Sequence, residues 1–200
     1  MNMNEKSYAE IGAILKKFEI GGITDALTDG LEESYAQLPA EIIFDKTATL
    51  VSAVGGGESN YDTRSWTPSE NGVYSFDMEV YFEENMYTNF LLGIAALGAG
   101  ELDFKNITED TSGVDWENGT GKRTVSFEWN EHAYTLEARV ENDWFDSDVA
   151  EQLSKIISSN GNGKQLFFTS DGYQECIVFY RNADWADIFQ SETGLSLSSY

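Results

Sequence analysis

The sequence contains one histidine and one cysteine, the residue types that most often act as a base or a nucleophile near neutral pH. Any imidazole-based mechanism would depend on His132, which lies where the chain is predicted to turn between two strands. Cys176 shares one face of a predicted strand with Val178 and Tyr180, a position typical of a core cysteine. A Cys–His pair would require the two to meet in the fold. We predict no catalytic residues and no metal ligands.

Carboxylates are the other groups that could do chemistry, and Asp143, Asp146 and Asp148 form the densest cluster. Oxygen ligands suit a hard cation, and carboxyl groups suit the acid–base step of a hydrolase. Their spacing departs from the calcium-loop pattern, which has oxygen ligands at alternate positions and glycine at the sixth. The same acids fit the start of a helix, where the helix dipole stabilises negative charge. The cluster therefore has both a cation-binding and a structural explanation.

Two Gly-Lys pairs, at Lys122 and Lys164, and the glycines at 55–57 raise the question of a phosphate loop. Neither lysine has a glycine at the first position of that pattern, and neither is followed by serine or threonine. The three glycines lead into a polar loop, so no helix N-terminus would face a pyrophosphate. We predict turns at these positions and no cofactor.

The net charge is −23, from 35 acidic and 12 basic residues. Residues 65–104 contain seven acids and no lysine or arginine. Binding to nucleic acid or to an anionic membrane relies on basic side chains, so this charge argues against both partners. A basic protein is the natural counterpart, because opposite fields accelerate encounter. The alternative is that the acidity only keeps the protein soluble.

The N-terminal quarter is predicted to be mainly helical. Ser7 and Glu10 form a capping-box pattern, and the apolar residues that follow recur on one helix face. A second helix is predicted over about 23–36 and a strand over 47–54. Residues 58–72 are polar and contain turn residues throughout, which predicts a long loop.

The middle of the chain carries the clearest patterns. Alternation from Tyr74 to Phe82 predicts a half-buried antiparallel strand whose solvent face carries Asp77 and Glu79. Residues 86–97 are apolar on nearly every side and end at glycine, which predicts a buried helix. Three short strands are then predicted over 102–107, 123–130 and 133–140. The last two are predicted to be joined by a tight hairpin turn.

The last quarter combines helices with a second hairpin. One helix is predicted to open at Asp148, and a hairpin is predicted over 165–180. Asn182 is predicted to cap a final helix that has Ile188 among its inward residues. The Ser-rich tail after residue 194 is predicted to fray.

Antiparallel strand pairs flanked by about four helices predict an α+β fold rather than a doubly wound sheet. We predict a single domain over 1–200, with the loop at 58–72 as its possible internal boundary. The first ten residues lack the basic and apolar segments of a secretory signal, and no apolar run is long enough to span a bilayer. We therefore expect a cytoplasmic protein.

Trp66, Trp116 and Trp144 fall outside the predicted apolar faces and stand near acids. An aromatic anchor rimmed by carboxylates suits a partner that offers arginine or lysine. More commonly, a tryptophan in a loop folds back onto its own domain. The three residues are therefore candidates for contact with a partner or for the edge of the core.

These features favour binding over catalysis, and we do not expect an enzyme. The profile resembles that of small acidic bacterial proteins that neutralise a basic toxin, without a motif matched residue by residue. The leading hypothesis is an acidic protein-binding module, most sharply an immunity-type inhibitor of a basic toxin or nuclease. Alternatives are a carboxylate-based cation-binding protein or hydrolase, and a structural or scaffold protein of a phage or mobile element. The predicted partner-binding residues are Asp77, Glu79, Glu83, Glu84, Asp143, Trp144, Asp146 and Asp148.

Overall fold

A computed structural model describes residues 3–39, 44–60, 62, 65–79, 85–160 and 162–200. Within them the helices are α1 (Tyr8–Leu15), α2 (Asp25–Ala36), α3 (Lys46–Gly55), α4 (Met86–Leu97), α5 (Ser147–Ser159) and α6 (Ala183–Thr193). The strands are β1 (Glu58–Asn60), β2 (Ser65–Thr67), β3 (Tyr74–Asp77), β4 (Lys105–Asp110), β5 (Val114–Asp115), β6 (Thr120–Trp129), β7 (His132–Glu141), β8 (Gln165–Ser170) and β9 (Glu175–Arg181). The strands pair antiparallel, which confirms the α+β fold. No helix among these residues has the length and apolar character needed to cross a membrane.

The central sheet has the order β3–β9–β8 and lies between two hydrophobic cores. Side chains alternate along a strand, so Phe167 and Phe179 belong to the first core, while Phe168 and Val178 belong to the second core on the opposite face of the sheet. Along the outer edge of β8, Phe168 and Ser198 exchange two backbone hydrogen bonds of 2.8 Å. The tail that was predicted to fray is therefore held as an added bridge on the sheet edge.

Helices α1, α3 and α6 contribute to the first core. The predicted capping box at Ser7 and Glu10 is present at the start of α1, and the Asn182 side chain accepts from the backbone of Trp185 to cap α6. Ile188 was predicted to face inward, but 54% of it is exposed. Phe189 takes the core position of this turn, and residues adjacent in a helix point about 100° apart.

Helices α4 and α5 pack in the second core with a four-stranded sheet. In this sheet β6 pairs with β4, β5 and β7. The β6–β7 hairpin turns at Asn130 and Glu131, which have φ of 50° and 64°. Positive φ at both positions is the signature of the tight two-residue turn that fits the twist of paired strands. The bounds of α4 agree with the sequence prediction. The tight hairpin is also present, but its turn lies one residue earlier than the predicted turn at 131–132.

The strand predicted over 47–54 is wrong, because these residues lie in helix α3. Asp45 is the N-cap of the helix, and its side chain accepts from the Ala48 N–H at 2.9 Å. Thr47, Val51 and Val54 are all buried. A helix covered on most sides shows no clear 3.6-residue period, and its β-branched residues favour a strand prediction.

Other predicted bounds differ as well. The strand predicted over 102–107 is β4, at Lys105–Asp110, and the strands of the predicted hairpin extend over Thr120–Trp129 and His132–Glu141. The strand predicted over 74–82 is described only as Tyr74–Asp77, and residues 80–84 lie outside the described residues. The predicted loop at 58–72 contains the short β1–β2 hairpin. Helix α5 begins at Ser147 with Asp146 as its N-cap, not Asp148.

Candidate functional site

The end of β3 and the loop before α5 meet at one end of the central sheet. Glu79 and Trp144 form an isolated antiparallel bridge, and the Phe145 N–H donates to the Met78 carbonyl at 2.8 Å. These contacts bring Glu79, two residues after Asp77, against Trp144, which is distant in the sequence. Parts of the two segments in which a partner site was predicted therefore share one surface.

Strand β9 and the β8–β9 turn bring further acids to this surface. Glu175 lies directly opposite Asp77 in the β3–β9 pairing. Asp171 Oδ1 accepts from the N–H groups of Tyr173 and Glu175 at 2.8 and 3.2 Å. The acidic face is the set Asp77, Glu79, Trp144, Asp171, Tyr173 and Glu175. The last three residues were not predicted, because the pairing of β3 with β9 leaves no local signal in the sequence.

Two large aromatic side chains stand out from the acidic face. Trp144 is 45% exposed and Tyr173 is 60% exposed. The Tyr173 ring contacts Phe44, with ring centres 5.0 Å apart. Aromatic side chains of this size supply much of the binding energy in protein interfaces. Their position beside carboxylates matches what a basic partner would need.

The acids of the face repel one another. Burial raises the pKa of Glu175, and the charges of Asp77 and Asp171 raise it further, while a hydrogen bond from Ser52 opposes them. The Ser52 hydroxyl donates to Glu175 Oε2 at 3.1 Å. Like charges directly opposite each other destabilise an antiparallel pair. We therefore expect the repulsion among these acids to lower the stability of the fold.

We expect Glu175→Gln to raise the free energy of unfolding at pH 7 by about 0.5–1 kcal/mol. A pKa raised in the folded state means that the destabilisation is absent below the unfolded-state pKa and grows as pH rises through the folded-state pKa. The increase in the free energy of unfolding caused by the substitution should therefore disappear at about pH 3. Urea unfolding at both pH values measures it, with Glu192→Gln on the exposed side of α6 as the control. A gain of the same size at both pH values would contradict this explanation.

Asp146 and Asp148 have partners within the chain. Asp146 accepts from the Asp148 N–H at 3.1 Å and from the Arg139 N–H at 2.7 Å. The Arg139 guanidinium lies 3.1 Å from Asp148 Oδ2. These contacts cap α5 and hold it to β7, which favours the structural explanation of the acid cluster. Asp143 is half-buried and directly precedes Trp144.

The other predicted site residues, Glu83 and Glu84, lie outside the described residues. Among the residues that are described, no three His, Cys, Asp or Glu side chains are grouped so that they could hold a metal ion. Of the predicted residues that the structure describes, Asp77, Glu79 and Trp144 are the members that the fold assembles on the acidic face.

A cavity of about 310 Å³ opens beside the acidic face. Its walls come from the end of α3, the β1–β2 hairpin, β3 and the residues after it, α4 and the loop before α5. They are Gly56, Ser59, Trp66, Tyr74, Ser75, Phe76, Asp77, Glu79, Met86, Asn89 and Phe145. The cavity was not predicted from the sequence. The one available signal was Trp66, a tryptophan in a predicted loop; it is half-buried at the cavity wall.

The other candidates for chemistry, His132 and Cys176, lie in different sheets. His132 is exposed at the start of β7, in the four-stranded sheet, and Cys176 is half-buried on β9, in the central sheet. Burial raises the pKa of the Cys176 thiol to about 12, so it carries its proton at neutral pH. Trp116 lies over the guanidinium of Arg123, with 5.7 Å between ring centre and Cζ.

Comparison with family models, curated proteins and solved structures finds no match for this chain. The inference of a function rests on the geometry and charge of the acidic face and the cavity beside it.

Proposed function

We propose that this chain is an acidic protein-binding module that binds a basic protein through the acidic face. The supporting observation is the convergence of four carboxylates and two exposed aromatic side chains at one end of the central sheet. The most specific version of this proposal is that the chain is an immunity-type inhibitor, which blocks a basic toxin or nuclease by covering its cationic surface.

The mutual repulsion of the acids supports this proposal. The charged groups that shift the pKa of Glu175 are Asp77 and Asp171, and both are acidic. A basic partner would relieve that repulsion on binding, because its positive charges would make favourable interactions with acids that repel one another in the free protein. Loss of stability at a binding site is a common consequence of selection for function.

The overall charge supports the same kind of partner. A net charge of −23 creates a long-range field that accelerates encounter with a cationic surface. Salt screens this field, with a Debye length of about 10 Å at 0.1 M and about 3 Å at 1 M. Binding through the acidic face should therefore weaken as salt is raised, mainly through slower association.

Capture from lysate of the source cells, followed by a binding measurement, tests the proposal. The immobilised protein is exposed to lysate at low salt, and the proteins eluted by a salt step are identified and purified. We expect a specific basic protein, bound at least about tenfold more weakly by the triple variant Asp77→Asn/Glu79→Gln/Glu175→Gln. Each substitution removes the charge and keeps one acceptor oxygen, while the second oxygen is replaced by an NH2 group of similar size.

The matched control removes three exposed acids from α2 and α6: Glu33→Gln/Asp187→Asn/Glu192→Gln. Its net charge equals that of the first triple variant, so the comparison separates the acidic face from overall charge. An acidic partner, affinity indifferent to salt, or equal weakening in both variants would overturn the proposal.

A further inference from the structure

The cavity beside the acidic face combines aromatic walls with an acidic rim. Trp66 and Phe76 are half-buried there, and Phe145 packs behind Phe76 with ring centres 4.9 Å apart. Asp77 and Glu79 are exposed at the rim. No lysine or arginine is among the described residues that line the cavity. The lining is thus complementary to a cation that also has an apolar or planar surface.

The rim carboxylates are held in place by neighbouring groups. Asp77 Oδ1 accepts from the Glu79 N–H at 2.8 Å, and Glu79 Oε2 accepts from the side-chain amide of Gln174. Each carboxylate has a second oxygen, and a carboxylate oxygen can accept more than one hydrogen bond. Carboxylates held in this way can receive a charged donor without first losing side-chain freedom.

The aromatic wall is also held before any ligand arrives. The Trp66 indole N–H donates to the Gly56 carbonyl at 3.1 Å. Gly57 has φ of 72°, and a Cβ at this position would lie 2.8 Å from the Trp66 ring and 2.6 Å from the Thr67 carbonyl oxygen. Glycine therefore permits both the turn and the close approach of the indole. The wall is pre-organised, which lowers the entropy lost on binding.

We propose that this cavity binds the guanidinium group of an arginine side chain from the basic partner. The proposal builds on the proposed function and assigns a residue type to its contact point. A guanidinium is planar, stacks on aromatic rings and donates two parallel hydrogen bonds to a carboxylate. An ammonium stacks less well on a ring and lacks the planar fork that makes the two parallel hydrogen bonds. A volume of about 310 Å³ is at the lower end of the roughly 300–1,000 Å³ found for small-ligand sites. One side chain with its adjoining backbone suits that size.

Titration of the ¹⁵N-labelled protein with N-acetyl-arginine amide tests the assignment. We expect perturbed signals of the Trp66 indole and the Asn89 side-chain amide, with a Kd on the order of 1 mM. N-acetyl-citrulline amide has nearly the same shape without the charge and should bind at least about tenfold more weakly. N-acetyl-lysine amide should fall between them. Equal binding of the arginine and citrulline probes would overturn the assignment.

Substitution of the rim provides the second arm. Asp77→Asn/Glu79→Gln should abolish saturable binding of the arginine probe, whereas Asp187→Asn/Glu192→Gln on α6 should retain it. Equal loss in both variants, or the absence of perturbation up to about 50 mM probe, would show that the cavity is not an arginine site. If a basic protein still binds the acidic face in a salt-sensitive manner, only this assignment fails. If the probe binds but no basic protein does, the proposed function fails and the cavity remains a guanidinium site.

Discussion

Replacing Arg123 with methionine is expected to lower the free energy of unfolding by about 3–5 kcal/mol. Arg123 Nη2 lies 2.5 Å from Glu109 Oε1, and the two side chains are 3% and 2% exposed. Methionine keeps an apolar stem but has no charge, so Glu109 must either stay ionised without its partner or take up a proton in a site from which water is excluded. An ion left buried without its counter-charge is much less stable than the intact pair.

Glu109 also stabilises the helix that forms one wall of the cavity. Its Oε2 accepts from the Thr88 N–H at 2.9 Å and from the Thr88 hydroxyl at 3.0 Å. Thr88 lies in the first turn of α4, where Asn85 makes no side-chain cap. Glu109 therefore caps α4 from a distant strand, and loss of Arg123 should weaken the cavity wall as well as the core.

Urea unfolding at pH 7 measures this effect, with Lys122→Met, its exposed neighbour on β6, as the control. Burial raises the pKa of Glu109. The penalty for the unpaired carboxylate is absent below the unfolded-state pKa and appears as pH rises through the folded-state pKa, so the destabilisation should shrink toward about pH 4. The double variant Arg123→Met/Glu109→Gln should recover part of the stability. A loss no greater than that of Lys122→Met would contradict the prediction.

Replacing Lys46 with methionine is expected to lower the free energy of unfolding by about 2–4 kcal/mol. Lys46 is 4% exposed, and its Nζ donates to Glu32 Oε1 at 2.9 Å and to the Lys6 carbonyl at 3.0 Å. The same ammonium lies over the rings of Tyr8 and Tyr35, at 4.8 and 4.6 Å from their centres. Methionine keeps the apolar stem in the core but removes all of these polar contacts.

This loss should be smaller than that for Arg123, because the Glu32 side chain is 46% exposed and water can solvate it after the change. Thermal or urea unfolding measures the difference from wild type. Lys17→Met, at an exposed position after α1, removes the same charge and should change the stability by no more than about 0.5 kcal/mol. If both variants lost the same stability, the buried contacts of Lys46 would not be the cause.

The sequence predicted elements well where one local pattern dominated. The bounds of α4 follow from an apolar run that is ended by glycine. The existence of the β6–β7 hairpin follows from two alternating segments that are separated by only two residues. Prediction failed at α3, where burial on most sides hid the helical period from Thr47 to Val54. It also failed at the tail, whose pairing through Ser198 with β8 depends on a distant strand.

The acidic face was predicted only in part for the same reason. Asp77 and Glu79 were found because alternation from Tyr74 to Phe82 placed them on the solvent side of a predicted strand. Trp144 was found because it falls outside the predicted apolar faces and stands beside acids. Glu175 was not found, since its position opposite Asp77 depends on which strands become neighbours. The ion pair of Arg123 with Glu109 is equally non-local, and the sequence contains no pattern for it.

Because both faces of the central sheet are covered by a core, the pairing register of its strands is constrained from two sides. Phe167 and Phe179 point into one core, while Phe168 and Val178 point into the other. A slip of one residue in the pairing of a strand moves every side chain of that strand to the opposite face. In a sheet with one solvated face such a slip would expose one set of apolar residues. Here it would disrupt the packing of two cores at once, so a single correct alignment is specified from both sides.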